Sequence, residues 1–528
     1  MLFNSYEFIF LFLPVTFLVF FAMARLGREA AIAWLVVASL FFYGWWNPAY
    51  LILILLSMVI NFGFGEFLSR AYEHRRIARA KIGLALGVML NLGVLAYFKY
   101  AGFFFHNINA LTGSSIDVGH IVLPLAISFF TFQQIAYLVD AYKGITQEYR
   151  FSHYALFVTF FPQLIAGPIV HHKEMLPQFM RRDTLRPRLD NVSIGLSIFF
   201  MGLFKKTVLA DGIAPYGSSV FDAAASGETL SFFVAWGGAL AYTMQLYFDF
   251  SGYSDMAIGG ARLFGIRLPL NFHSPYKATS IIEFWRRWHM TLSRFLRDYL
   301  HIPLGGSHHG RKRRYFNLMV TMFLGGLWHG AGWTFVVWGG LHGLYLVVNH
   351  AWHRLRQALG RAGTESTRAG KLLAWLLTFL AVVTGWVFFR ATDFHSAIVI
   401  LEGMAGINGV ALPNAIIARL GEAGIWLQGA GVGVYLGGGS DFLFTWLWVV
   451  VLLAVVLMMP NTQQIMSSFE PALRVYQSDN KYQIRVGEQL ARRITWQPTA
   501  GWAVATGLVA ALGLLALTSV SEFLYFQF

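Results

Sequence analysis

His329 lies in Phe323-Leu-Gly-Gly-Leu-Trp-His-Gly-Ala-Gly-Trp333, an ionisable imidazole in a long apolar sequence, framed by glycines and two tryptophans. The apolar run before it, Tyr315 to Trp328, covers about 20 Å at ~1.5 Å per helical residue, against a hydrocarbon core of ~30 Å. His329 is therefore expected part-way through a bilayer, where ionisable groups are costly and usually functional. An apolar site favours the neutral imidazole, the form that acts as general base on a hydroxyl. His289 is the second candidate, in Ile282-Glu-Phe-Trp-Arg-Arg-Trp-His289. Glu283, Arg286, Arg287, Arg294, Arg297 and Asp298 alternate there with Phe284, Trp285, Trp288, Leu292, Phe295 and Leu296. That periodicity predicts one amphipathic helix at the cytosolic interface. Two roles fit it: an interfacial anchor with a solvated histidine, or a rim where Trp285, Arg286 and Trp288 receive an anionic, partly apolar donor.

Other polar residues in apolar surroundings divide between structure and chemistry. Asp249 and Asp255, in Tyr247-Phe-Asp-Phe-Ser-Gly-Tyr-Ser-Asp255, are placed at the inner end of a span, to cap it or to orient a histidine. Asn271, His273 and Tyr276 follow in a turn marked by Ser274-Pro275. The adjacent pairs His171-His172 and His308-His309 point apart on a helix, lack carboxylates at ligand spacing and sit in basic loops, so no metal site is expected. His342 reads as a packed core histidine. The glycines at 325, 326, 330 and 332 let backbones approach closely. No phosphate-loop or dinucleotide-binding glycine pattern is present.

The elements that must position these residues are membrane spans. The chain has 528 residues, 56% hydrophobic and 12% charged, with mean hydropathy +0.55, whereas soluble domains carry about 25% charged residues. Its net charge of +14 falls in loops between apolar segments, which fits positive-inside topology rather than nucleic-acid binding. Cysteine is absent, which excludes disulfides, a cysteine nucleophile and cysteine-ligated metal. The N-terminus lacks a basic n-region and carries Glu7, so a first span with its N-terminus outside is expected, not a cleaved signal.

Loop charges then order the spans. Tyr6–Ala24, Ala30–Trp46, Ala49–Leu68, Ile82–Phe98 and Ile121–Val139 alternate, with Lys99 to His120 as an outer loop. Tyr154–Val170 has basic residues on both sides and is broken by Pro162 and Ala166-Gly167-Pro168, so it is expected to be re-entrant and to line a cytosolic cavity. Asn191–Ala210 leads out, with Lys205 and Lys206 near its outer end, either snorkelling to headgroups or facing a cavity. Phe232–Phe248 returns. Eleven Lys or Arg residues between Arg262 and Arg314 mark the most basic cytosolic region. Tyr315–His350 forms a hairpin with His329 at its bend. Leu372–Phe389, Phe442–Met459 and Ala500–Ser519 complete the set. The chain reads as one integral membrane domain: N-terminal spans at 1–150, a catalytic core at 151–352 and C-terminal spans at 353–528.

Six stretches carry a family resemblance. They are Leu123-Pro-Leu-Ala-Ile-Ser-Phe-Phe-Thr-Phe-Gln133, Phe161-Pro-Gln-Leu-Ile-Ala-Gly-Pro168, Phe248-Asp-Phe-Ser-Gly-Tyr-Ser-Asp255, Phe284-Trp-Arg-Arg-Trp-His289, Gly325-Gly-Leu-Trp-His-Gly330 and Ser521-Glu-Phe-Leu-Tyr-Phe526. Together the chain resembles the membrane-bound O-acyltransferases, in the bacterial branch that acetylates alginate. The resemblance implies an all-α polytopic fold, with a ring of spans and re-entrant and interfacial helices around a thinned centre. It places the family's catalytic histidine on His329 and the second motif position, often asparagine in eukaryotic relatives, on His289. Trp285, Arg286, Trp288 and Asn271 are assigned to the donor, and Asp249, Asp255 and Trp328 to support. It also implies acetyl-CoA as cytosolic substrate with no bound cofactor, an exopolysaccharide such as alginate or cellulose as acceptor, and a periplasmic partner of the SGNH-hydrolase type. The location implied is the bacterial inner membrane. Two other classes stay open: D-alanyl or other acyl transfer from a carrier protein to a wall polymer, and non-enzymatic transport.

Overall fold

The computed structural model describes residues 1–119, 121–146, 150–165, 167–308, 310–360, 367–473, 490, 493–518 and 524. Ala166, His309, Arg361, most of the basic residues in Asn461–Thr499 and nearly all of Ser521–Phe526 lie outside them. Among the described residues the fold is all-helical apart from one pair of three-residue strands, Ala411–Pro413 parallel to Gly433–Tyr435. Among the described residues, Glu7–Leu26, Ala49–Glu73, Ile77–Thr112, Leu189–Ala225, Arg368–Arg390 and Gly439–Met458 are long and apolar enough to cross a membrane. Such runs form helices because lipid offers no partner for a backbone amide or carbonyl, and a helix satisfies each within itself.

The organising element is Phe232–Leu263, 32 residues long. Nearly every residue of it from Ala235 onward is buried, polar ones included. A helix enclosed on all sides needs no apolar stripe, which is why the expected span stops at Phe248 while the helix runs fifteen residues further. Its closest neighbour is Leu189–Phe204, and glycines set the separation. A Cβ on Gly195 would lie 2.8 Å from the Gly259 carbonyl oxygen, and one on Gly202 would lie 2.6 Å from that of Gly252. Both pairs are seven residues apart, about two turns, and they match in opposite directions, so the helices run antiparallel in backbone contact.

Asp249 and Asp255 therefore stand in the middle of a buried helix and do not cap a span. Lys206, 1% exposed, reaches Asp249 at 2.5 Å and Asp211 at 2.8 Å; Lys205 reaches Asp255 at 2.6 Å. These lysines do not snorkel. Buried charge persists only when paired, and each amine here is satisfied inside the protein. Asp255 also accepts from Thr462 Oγ1 at 2.6 Å and Gln463 Nε2 at 3.1 Å. The outer loop expected after Ala210 is instead helix Asp211–Ala225.

Two further segments position the site. Residues 151–179 form three short helices, Phe151–Thr159, Phe161–Leu164 and His172–Phe179, none long enough to span. Their irregular backbone is buried, and side chains satisfy it: Phe161 N–H donates to Ser39 Oγ and Ile169 N–H to Thr291 Oγ1, both at 3.1 Å. The hairpin consists of Gly310–His329 and Trp333–Ala358, joined by Gly330-Ala331-Gly332. Its arms meet at Gly326 and Gly339, where a Cβ on the first would lie 3.0 Å from the Cα of the second. At the open end, Arg354 donates to Tyr315 Oη at 3.1 Å.

Candidate active site

His329 is the last residue of its helix. The imidazole, 6% exposed, is walled by Trp328, Trp338 and Phe389, with ring centroids at 4.9, 5.1 and 5.1 Å. It faces a cavity completed by Leu246, Phe250, Trp288 and Trp386, with room for about one water molecule. The helix ends there because Gly330 and Gly332 follow, and a side chain at Gly330 would collide with the Phe335 ring.

His289 stands 6.4 Å from His329 between ring centroids. The amphipathic helix expected across residues 282–298 does not run through. Ile281–Trp285 and Met290–Leu296 are separate helices, and His289 sits between them at φ 42°, ψ 54°. A non-glycine residue holds this left-handed conformation only where its surroundings compensate. Asn271 supplies that compensation: its carbonyl accepts from Met290 N–H at 2.9 Å, and its Oδ1 lies 3.0 Å from His289 Nδ1 and accepts from Thr291 Oγ1 at 2.9 Å. The Thr291 N–H also points at this atom, at 3.4 Å. An N–H can only donate, so the atom is the amide oxygen; Nδ1 of His289 therefore carries the proton and Nε2 the lone pair. His289 is fully buried, not solvated. Neither His289 nor His273 lies on a spanning helix, and burial pushes both imidazoles down, to about 3.

The other expected residues divide. Trp288 lines the cavity with His329. Trp285 is half-buried against Trp338 and His342, and Arg286 beside it is exposed. Asn271, expected at the donor, is fully buried and holds His289 instead. Trp328 packs between Phe129 and Phe132 and stands beside both histidines. Asp249 and Asp255 are turned to Lys206 and Lys205. His342 is packed among Phe284, Trp285, Trp338 and Trp386. His171 hydrogen-bonds to Tyr299 Oη at 2.9 Å, which donates to Asp140 at 3.0 Å. Sequence reasoning passed over Lys99, Tyr100, Thr291, Phe389 and the Trp338–Trp386 wall. Only Lys99 carried a signal, as a lone cation after an apolar run.

Two imidazoles enclosed by aromatic rings, one fixed in tautomer by an amide oxygen, suit proton transfer with water shut out. The profile of the MBOAT, membrane-bound O-acyltransferase family, matches residues 142–384, which include both histidines. The chain is 46% identical over 444 residues to the peptidoglycan O-acetyltransferase of Helicobacter pylori, covering 78% of this chain and 81% of that one. It is 42% identical over 409 residues to the probable alginate O-acetylase AlgI of Pseudomonas aeruginosa, 76% and 75% of the two chains. A more distant likeness, 28% over 289 residues, joins it to the teichoic acid D-alanyltransferase of Bacillus subtilis, 51% and 69% of the two. These similarities set the transport reading aside: the chain belongs to the membrane-bound O-acyltransferase family and is a multi-pass membrane acyltransferase.

Proposed function

We propose that this enzyme takes acetyl groups from cytosolic acetyl-CoA for O-acetylation of a cell-envelope polysaccharide outside the bacterial inner membrane, with its N-terminus on the periplasmic side. The observation that carries the reading is buried His329 at the bend of a hairpin, facing an enclosed cavity with buried His289 6.4 Å away. His329 acts as general base. The acceptor oxygen attacks the thioester carbonyl, its proton passes to His329, the carbon–sulfur bond breaks, and the imidazolium returns the proton to the departing sulfur. His289, with its lone pair fixed on Nε2, positions the acceptor by accepting from a second hydroxyl beside the attacking one, whose own proton goes to His329. Trp288 walls the cavity, while Trp285 and exposed Arg286 suit the approach of an anionic donor. A cavity with room for about one water keeps the thioester from hydrolysis until the acceptor enters. The acceptor hydroxyl belongs to the polymer or to a periplasmic SGNH-type partner that completes the transfer.

Acetyl is favoured over D-alanyl because the relatives named for acetylation are 46% and 42% identical over three quarters of this chain, against 28% over half for the D-alanyl relative. The test is a deletion strain complemented with wild type or His329→Ala, with base-releasable acetate measured on isolated peptidoglycan and on secreted polysaccharide. General-base catalysis contributes roughly 10²–10⁴-fold, so His329→Ala should bring one of those pools to the deletion background at unchanged membrane abundance. Retained acetylation refutes the assignment. Loss of ester-linked D-alanine instead would move the enzyme to the other branch.

A further inference from the structure

The carbonyl oxygens that end the His329 helix are held by a different span. The last four carbonyls of any helix have no intrahelical partner, and a helix ending in apolar surroundings has little water to supply one. Here Tyr100 Oη donates to the Leu327 carbonyl at 2.8 Å. Lys99 Nζ donates to the Trp328 carbonyl at 2.5 Å and to that of His329 at 3.1 Å. Its ammonium also stands 5.8 Å from the centre of the Trp328 ring, one of the walls around His329. Both donors come from Ala96–Tyr100, a π-helical turn inside the span Ile77–Thr112. Such a turn carries an extra residue, re-aims the side chains on it, and is frequent at functional sites. A cation at a helix C-terminus is also favoured by the helix dipole.

We infer that Lys99, assisted by Tyr100, is the positioning residue for His329, fixing the depth and direction of the imidazole by clamping the backbone that carries it. The inference rests on the reading of His329 as base. Lys99 contacts backbone and a wall ring, and its effect reaches the reaction through His329. Reacting groups displaced by about 1 Å can cost ~10²-fold in rate, so the clamp should act on kcat and leave donor affinity alone.

The test uses inverted membrane vesicles of the deletion strain, which hold the native acceptor, expressing the full chain and supplied with labelled acetyl-CoA. Lys99→Met should lower kcat by ~10–100-fold with KM for acetyl-CoA within about twofold, and Lys99→Arg, which keeps a cationic donor, should recover most of the loss. If Lys99→Met fails to accumulate, Tyr100→Phe removes one hydroxyl and should lower kcat severalfold at wild-type abundance. A kcat within about twofold of wild type in the accumulating variant, with His329→Ala inactive, overturns the clamp while the base assignment stands. So does a loss confined to protein abundance, which a purely structural lysine would give. Activity in His329→Ala sinks the base assignment itself.

Discussion

Adding one methyl group at Gly326 should cost the enzyme most of its activity. A Cβ there would sit 3.0 Å from the Gly339 Cα and closer still to the Phe335 carbonyl oxygen, whereas ordinary contact begins at 3.4 Å. Both obstacles are backbone on the opposite arm, so no side chain can swing aside. The arms must part by roughly 1 Å, and His329 lies three residues beyond, less than one turn. A displacement of that size costs ~10²-fold when it moves a catalytic group, while overpacking itself costs about 1–3 kcal/mol of stability. Gly326→Ala should therefore be present in membranes, melt at a lower temperature and leave about 1% of wild-type acetate on the polymer. Gly332→Ala is the matched control: its backbone is extended at φ −164° and its Cβ would meet nothing nearer than 3.6 Å, so activity should stay within about twofold of wild type. Base-releasable acetate per unit of immunodetected protein reads both variants. If Gly326→Ala acetylates as well as Gly332→Ala, close backbone contact between the arms does not set the position of His329.

Two further perturbations probe the frame around the site. Lys206→Met leaves buried Asp249 and half-buried Asp211 without their shared amine, a loss of about 3–5 kcal/mol that should appear as a collapse in membrane yield. The double variant Lys206→Met with Asp249→Leu should regain much of it, and a single variant as stable as wild type would refute the ion pair's role. Just after Arg368–Arg390, Asp393 caps helix Phe394–Met404 by accepting from Ser396 N–H and Oγ, both at 2.8 Å. The Ser396 N–H holds its carboxyl below the usual range. A folded group titrating below its unfolded ~3.9 contributes fully above that value and fades as pH falls through it. Asp393→Ala should thus lower stability by about 0.5–1 kcal/mol at pH 7, near the low end because the cap is exposed. The difference in melting temperature from wild type should shrink toward pH 3, and a gap that widens on acidification contradicts the cap.

The hairpin was legible because its signals are local. A short apolar run, glycines around a histidine and charged residues at both ends define Gly310–His329 and Trp333–Ala358 closely. The break at His289 left no such trace. Met290–Leu296 resumes the same apolar rhythm as Ile281–Trp285, so periodicity runs across a left-handed residue that a turn eighteen positions away holds in place. Asp249 and Asp255 fall outside the expected span for a related cause: loop charge and hydropathy mark where apolar helix ends, and Phe232–Leu263 continues on buried polar residues and ion pairs instead. Charge patterning ends a span at Lys99, because a cation normally does so, yet the helix passes through it to Thr112.

Those last observations have one physical root. Ending the helix at His329 is what lets its imidazole face the enclosed cavity, and the same ending exposes carbonyls that apolar surroundings cannot satisfy. Extending Gly310–His329 would remove the need but carry the backbone past the cavity. Water would remove it too, but would open an aromatic-walled cavity that has room for about one molecule of it. A donor brought in on a neighbouring span solves both, and a lysine serves two carbonyls at once while suiting the negative end of the helix dipole. Lys99 and His329 are 230 positions apart and belong to one device. In sequence, its signature is a lone cation late in one apolar run together with a short apolar run that ends in His-Gly, and neither half is informative without the other.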